Sequence, residues 1–152
     1  MKVLISGSFD PPTLGHLDII KRASDVFDSV VVCIFVNSAK KYAYGTEKRK
    51  EMLLSMCRDL SNVTVDSSDE TVPAYCRKNG ITLLVKGIRN SADLEYENAL
   101  FELYRSQNAD LEVVYFPSNA KYSWVSSTAA REVMKYNGDL SSLLHENVIK
   151  LL

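Results

Sequence analysis

The 152-residue chain predicts an α/β fold, a doubly wound five-stranded parallel sheet with helices on both faces. Three observations predict it. Short apolar runs rich in β-branched residues recur along the chain, among them KVLIS at 2–6 and SVVVCIFV at 29–36. Between them lie segments whose apolar residues repeat at helical spacing. The two signals alternate from the first strand to the fifth, which is the pattern of βαβ units, and right-handed crossovers place the helices on both faces.

Lys2–Ser6 is the first strand, followed by a helix with Leu17, Ile20, Ala23 and Phe27 on one face. Ser29–Val36 reads as a strand covered on both sides, with Cys33 a small core residue inside it. Thr46 is expected to cap the second helix, with Glu47 favourable in its first turn and Met52, Leu53, Met56, Cys57 and Leu60 as its apolar face. Asn62–Asp66 is a short strand, and Pro73–Lys78 a short helix stopped by Gly80. Thr82–Val85 is the fourth strand. Ser91 is expected to cap a long helix whose Tyr96, Ala99, Leu100, Leu103 and Tyr104 form a packing stripe. Leu111–Phe116 is the fifth strand, halted by Pro117. Two short helices follow, the first starting near Ser126–Thr128 and broken at Gly138.

With 46% apolar and 24% charged residues the composition is that of an ordinary globular protein. The length suits one domain over 1–152, and no linker, repeat or low-complexity tract divides it. A formal net charge of −1 supplies no global field for nucleic acid or a membrane surface, and neither is expected as a partner. No apolar run approaches the roughly 18 residues of a membrane span, and the N-terminus lacks a signal-peptide layout, so a cytoplasmic location is expected. Cys33, Cys57 and Cys76 give neither a disulfide framework nor a CxxC pair. With only His16 and His145 beside them, no protein-bound metal is expected. His145 reads as a surface residue.

Doubly wound sheets bind ligands outside the carboxyl ends of their strands, so the residues just after each strand are the candidates. The first strand is followed by GSFDPPTLGH at 7–16, the second by NSAKK at 37–41, the fourth by KGIR at 86–89, and the fifth by a stretch holding Ser118, Lys121, Ser123 and Ser126–Thr128. Gly7 lets the backbone turn and approach a ligand closely. His16 stands at a helix start, where amides and the dipole favour phosphate oxygens. Lys40 and Lys86 supply point charges, and Arg89 a planar fork for bidentate phosphate binding. Ser126, Ser127 and Thr128 add hydroxyls and free amides at a second helix start. Taken singly, these are a turn, a solvated lysine loop and an N-cap. Together they place four basic or hydroxyl-bearing segments on one sheet edge, which reads as a site for several phosphates.

Thr13-Leu14-Gly15-His16, in its GSFDPPTLGH setting, resembles the T/HxGH signature of the nucleotidyltransferase superfamily. The segment KGIRNSADLEYE at 86–97 is similar to the RGLRxxxDFEYE block of bacterial phosphopantetheine adenylyltransferases, and Trp124–Thr128 to their ISSS segment. The blocks keep their order across essentially the whole chain. The resemblance implies a Rossmann-like nucleotidyltransferase fold and adenylyl transfer from ATP to 4′-phosphopantetheine, with Mg²⁺ carried by ATP and a homohexameric assembly. By position it implies ATP contacts from Ser8, Phe9, His16, Gly87, Ile88, Arg89, Glu97 and the run Tyr122, Ser123, Trp124, Val125, Ser126, Ser127, Thr128. It implies acceptor contacts from Ser8, Lys40, Val72 and Lys86, and catalytic roles for His16, Lys40 and Arg89. Ser8 stands where the family usually has threonine, and Lys86 where it has arginine. Pro12 is the residue of related enzymes that adenylylate nicotinate mononucleotide.

An acceptor that is already an ionised phosphate needs no general base, and no side chain here reads as an activated nucleophile. Direct in-line displacement is therefore expected, with the protein aligning two polyanions and stabilising charge that moves toward pyrophosphate. Two other readings of the residues stand beside it. One is the same chemistry on another acceptor, a nicotinate or nicotinamide mononucleotide or an alcohol phosphate. The other is a nucleotide-binding sensor without chemistry, since fold does not determine function.

Overall fold

The apolar runs become strands and the periodic segments become helices in a computed structural model that describes all of residues 1–152. The elements are β1 (Lys2–Gly7), α1 (Leu14–Val26), β2 (Ser29–Phe35), α2 (Thr46–Cys57), β3 (Val63–Ser68), α3 (Val72–Asn79), β4 (Leu83–Ile88), α4 (Ser91–Gln107) and β5 (Glu112–Pro117). A short 3-10 turn at Ala120–Tyr122 leads to α5 (Ser127–Lys135) and α6 (Glu146–Ile149). The five strands form one sheet in the order β3-β2-β1-β4-β5, every neighbouring pair parallel. The order reverses between β1 and β4. Chains leaving those two neighbours diverge to opposite faces, and a cleft opens at their carboxyl ends.

Strand parity sorts the core into two layers. Val3, Ile5, Val30, Val32, Ile34 and Val85 face α1, α2 and the C-terminal helices in a cluster of 20 buried residues. Leu4, Val31, Cys33 and Leu84 face the other way, joining Val72, Tyr75, Cys76 and Phe101 of α3 and α4 in a cluster of 10. Successive side chains of a strand point to opposite faces, so a sheet covered on both sides needs apolar residues at both parities. That is why these strands read as unbroken apolar runs.

Helix ends follow local chemistry, with three departures from expectation. α3 ends as expected at Gly80, which takes the left-handed conformation (φ 63) that glycine adopts at least cost. For α2 the cap is Gly45, not Thr46, because the Thr46 hydroxyl accepts from Arg49 Nη2 at 3.2 Å. Asn90, not Ser91, caps α4, its side chain accepting from the Asp93 N–H at 2.9 Å. His145 is a half-buried N-cap of α6 rather than a surface residue, its Nδ1 accepting from the Asn147 N–H. The stripe expected to pack α4 also fails as drawn. Phe101 is the buried residue of that helix, while Tyr96 and Leu103 are 66% and 58% exposed.

Candidate active site

The ten residues from Gly7 to His16 form a loop held from beneath and from both sides. A Cβ on Gly7 would lie 3.0 Å from the Phe9 ring, so the ring fills the space that glycine leaves. Phe9 is 2% exposed and has a left-handed backbone (φ 49), which costs a non-glycine residue about 1–2 kcal/mol. Burial of its ring offsets that cost, and the ring meets His16 edge-on with centroids 4.9 Å apart. Three loop carbonyls accept from distant side chains. Ser8 O takes Arg49 Nη1 at 2.6 Å, Asp10 O takes Arg131 Nη1 at 2.6 Å, and Pro11 O takes Ser127 Oγ at 2.8 Å. The buried Asp10 carboxylate accepts from the N–H groups of Ala43 and Tyr44, tying this loop to the one that follows β2.

His16 is oriented by a reciprocal cap. The Thr13 side chain accepts from the His16 N–H, and the Thr13 N–H donates to His16 Nδ1 at 3.0 Å. A backbone N–H can only donate, so Nδ1 is an acceptor and the ring proton sits on Nε2. Burial, and secondarily the positive charge of Arg89, push the imidazole pKa down to about 4. At neutral pH the side chain is therefore a neutral N–H donor.

Around it lies a cavity of about 380 Å³. Its walls are Gly7 and Phe9 after β1, Thr13, Gly15, His16 and Ile19 of α1, Val85, Lys86, Gly87 and Arg89 from β4, Asp93, Tyr96 and Glu97 of α4, Ser118 after β5, and Tyr122, Val125, Ser126, Ser127 and Thr128 before and within α5. Both cations from β4 are paired with α4. Lys86 Nζ lies 3.2 Å from Glu97 Oε2. Asp93 accepts from Arg89 three times, from its N–H, its Nε at 2.9 Å and its Nη2 at 3.3 Å. This side-on grip leaves the Nη1/Nη2 end of the fork for a phosphate, and the Arg89 hydrogen bonds hold the Asp93 carboxyl below the usual carboxylate range. Ser126 caps α5 by accepting from the Ala129 N–H, and the first amides of that helix have no intrahelical carbonyl to pair with. Neutral donor, two oriented cations and a helix N-terminus converge on one volume, an arrangement able to bind a polyphosphate and stabilise charge developing on it.

The cavity brings together Phe9, His16, Lys86, Gly87, Arg89, Glu97, Tyr122, Val125, Ser126, Ser127 and Thr128 of the residues singled out from sequence. Ser8 lies half-buried beside it with its carbonyl committed to Arg49. Ile88, Ser123 and Trp124 are not on its wall, Trp124 being 57% exposed. Lys40 is exposed on the loop after β2, away from the cavity wall, in a turn closed by its N–H to Asn37 O. Val72 is buried in the core under α3. Tyr96 belongs to the cavity wall and not to helix packing, since α4 reaches past the cover of the sheet there. No group of three or more His, Cys, Asp or Glu side chains is placed to hold a metal ion. Sequence reasoning missed Arg49 and Arg131, and it gave no role to Asp10 and Asp93 although both lie in the motifs it singled out. Of these, Arg49 left a trace: it falls at helical spacing from Met52, Leu53 and Met56, on the buried stripe of α2.

A parallel sheet in this order, with a cleft of about 380 Å³ at its switch point and a capped histidine in it, is the arrangement of a nucleotidyltransferase, and the cytidylyltransferase-like family model matches residues 4–133. The phosphopantetheine adenylyltransferase of Clostridium novyi (strain NT) is 37% identical over 151 residues, covering 99% of this chain and 94% of that protein. The chain belongs to the phosphopantetheine adenylyltransferase family. Its backbone also resembles a solved protein of Vibrio parahaemolyticus assigned as a nicotinate-nucleotide adenylyltransferase, with TM-score 0.76, 23% identity and coverage of 99% and 90%. A similar likeness holds to Plasmodium falciparum nicotinic acid mononucleotide adenylyltransferase complexed with NaAD, with TM-score 0.68, 16% identity and coverage of 99% and 93%. These two likenesses show the fold.

Proposed function

We propose that the chain transfers the adenylyl group of ATP to 4′-phosphopantetheine, yielding dephospho-coenzyme A and pyrophosphate in coenzyme A biosynthesis. The observation that carries the reading is the neutral His16 donor sharing one cavity with Lys86 and Arg89, in a chain 99% of which aligns with a phosphopantetheine adenylyltransferase. A phosphate oxygen of the acceptor attacks the α-phosphorus in line, the bond from that phosphorus to the α,β-bridging oxygen breaks, and pyrophosphate leaves. No covalent enzyme intermediate forms. His16 Nε2–H donates to the phosphate oxygens as charge shifts, Arg89 holds the phosphates by its free fork, and the α5 start binds the rest of the triphosphate.

Ser8, Lys40 and Lys86 take the acceptor's phosphate, and Val72 borders its pantetheine arm. Ile88, Ser123 and Trp124 complete the nucleotide contacts. For Lys40 this requires its side chain to extend from the exposed turn toward the cleft, and for Lys86 it requires phosphate to compete with Glu97. Mg²⁺ arrives on ATP as part of the substrate. The enzyme works in the cytoplasm as a homohexamer. Exposed Tyr96 and Leu103 on one side of α4 support self-association, and no helix is long and apolar enough to cross a membrane.

The test is pyrophosphate release from ATP with a panel of acceptors: phosphopantetheine, nicotinate mononucleotide and glycerol phosphate. Turnover with phosphopantetheine at least about a hundredfold above the others is expected. Preference for nicotinate mononucleotide, toward which Pro12 points, would replace the acceptor. Tight ATP binding without release under any acceptor would replace the enzyme with a sensor.

A further inference from the structure

Arg49 is 1% exposed, the largest of the fully buried side chains, and it forms no ion pair. A buried charge is costly unless its donors are satisfied, so a fold that keeps one has bound it to something specific. One of its partners lies on the distant β1–α1 loop and the others on the approach to and first turn of its own helix. Nη1 donates to Ser8 O at 2.6 Å, Nε to Tyr44 O at 3.0 Å and Nη2 to Thr46 Oγ1 at 3.2 Å. The guanidinium also stacks over the Tyr42 ring, 4.1 Å from its centroid. The Tyr42 hydroxyl in turn accepts from the Asn37 N–H at 3.1 Å, and Asn37 O accepts from the Lys40 N–H at 3.0 Å. A continuous set of contacts therefore runs from Ser8 through Arg49, Tyr42 and Asn37 to the turn that carries Lys40.

The other end of the β1–α1 loop is held separately. Arg131 and Ser127 of α5 bind the carbonyls of Asp10 and Pro11, and the Thr13–His16 cap holds the histidine. The nucleotide side of the cleft is thus pinned by α5. The loop bearing Lys40 is joined to the β1–α1 loop twice, at Ala43 and Tyr44 by the Asp10 carboxylate and nearer Lys40 through Arg49 and Tyr42. We propose that Arg49 is a positioning residue for adenylyl transfer, setting the Lys40 turn in register with the loop of Ser8, Phe9 and His16. It touches neither substrate. This rests on the reading above that Lys40 binds the acceptor's phosphate.

Arg49→Lys keeps the charge but cannot bridge Ser8 O, Tyr44 O and Thr46 while stacking flat on Tyr42. Steady-state kinetics of Arg49→Lys, Lys40→Ala and the double variant, together with ATP binding and thermal unfolding, test the proposal. A misplacement of about 1 Å can cost up to a hundredfold, so phosphopantetheine kcat/KM is expected to fall about 10- to 100-fold in Arg49→Lys, with ATP affinity within about twofold. In the Lys40→Ala background the same substitution is expected to add less than about threefold. Acceptor kcat/KM within about twofold of the parent in folded Arg49→Lys overturns the proposal, and so does an equal loss toward both substrates that follows the fall in Tm. Should Arg49→Lys not fold, Tyr42→Phe decides, because it removes the link to Asn37 and leaves the arginine's stack intact. A rise of about threefold or more in acceptor KM with unchanged ATP affinity supports the proposal, and no change overturns it. If Lys40→Ala alone leaves acceptor KM unchanged, the Lys40 reading fails by itself, and the split between the two substrates in Arg49→Lys still decides Arg49.

Discussion

The Thr13 N–H donates to His16 Nδ1 at 3.0 Å, and that one bond couples the ring's orientation to its protonation state. Protonating Nδ1 would set two N–H groups against each other, so this bond favours the same neutral ring as burial and the Arg89 charge, which push the pKa down to about 4. In the ligand-free protein the His16 ring resonances are expected to titrate with a midpoint near about 4 by NMR, and a midpoint near the ordinary 6.5 would refute the neutral donor. The consequence for stability has a definite sign. Between pH 6.5 and about 4 the unfolded chain binds a proton at this residue and the folded chain does not, so stability falls as pH drops through that window and this residue contributes no further change below it. His16→Asn is expected to flatten that slope in urea unfolding across the window, and to lower turnover by about 10²–10³ at pH 7. Asp93 offers a second test. Asp93→Asn removes the charge that holds Arg89 by Nε and Nη2, and ATP kcat/KM is expected to fall about tenfold or more. Because the Asp93 pKa is lowered, its stabilising contribution is present above the ordinary carboxylate pKa and disappears only as pH falls through the lower folded value. An assay at pH 7 therefore reads the lost positioning and not a titration.

At the scale of elements, the fit between β4 and α1 depends on Gly87. A Cβ there would lie 2.9 Å from Ile19 Cγ1 and 3.3 Å from Cδ1, and Ile19 is a buried residue of the helix that carries His16. Gly87→Ala is expected to destabilise by about 1–3 kcal/mol in urea unfolding, and to lower activity by tilting α1. Ile19→Ala removes both offending atoms, so the double variant should be more stable than the sum of the single effects predicts. Additive losses would show that the contact is not the cause. Gly87 was legible in sequence only as part of a phosphate loop, because its packing partner lies 68 residues away and sequence periodicity carries no long-range distances. The strands were legible because both faces of this sheet are covered and each run is apolar throughout. The caps at Gly45 and Asn90 were read one residue late, since Thr46 and Ser91 are equally good capping residues and only backbone geometry separates them. Arg49 sits in EKRKE, which resembles any solvated charged face until its spacing to Met52 and Met56 is noticed. The pairing of Lys86 with Glu97 left no such trace, because nothing in the block distinguishes a partner from a ligand contact.

For the whole molecule, the two layers on the sheet are unequal. The α1, α2, α5 and α6 side buries a cluster of 20 residues, and the α3 and α4 side one of 10. α4 contributes only Phe101 to the fully buried set and leaves Tyr96 and Leu103, which share one side of the helix, open to solvent. Seventeen residues of helix held by Phe101 and the partly buried Tyr104 gain little apolar burial to set against the entropy of ordering them, at about 25 cal/mol per Å² of apolar area. A second copy of the chain covering this face would supply the missing burial, which links the proposed assembly to the integrity of the cleft, because Asp93, Tyr96 and Glu97 stand on the same helix. Leu103→Glu places a charge in that face without touching the cavity. Sedimentation is expected to show a shift from the assembled to smaller species, and hydrogen exchange to show α4 losing protection before α1 and α2. ATP affinity should then fall with assembly, because Arg89 loses the Asp93 carboxylate that an ordered α4 holds in place. Full ATP affinity in a fully dissociated variant would separate the cleft from the assembly and leave α4 stable on its own.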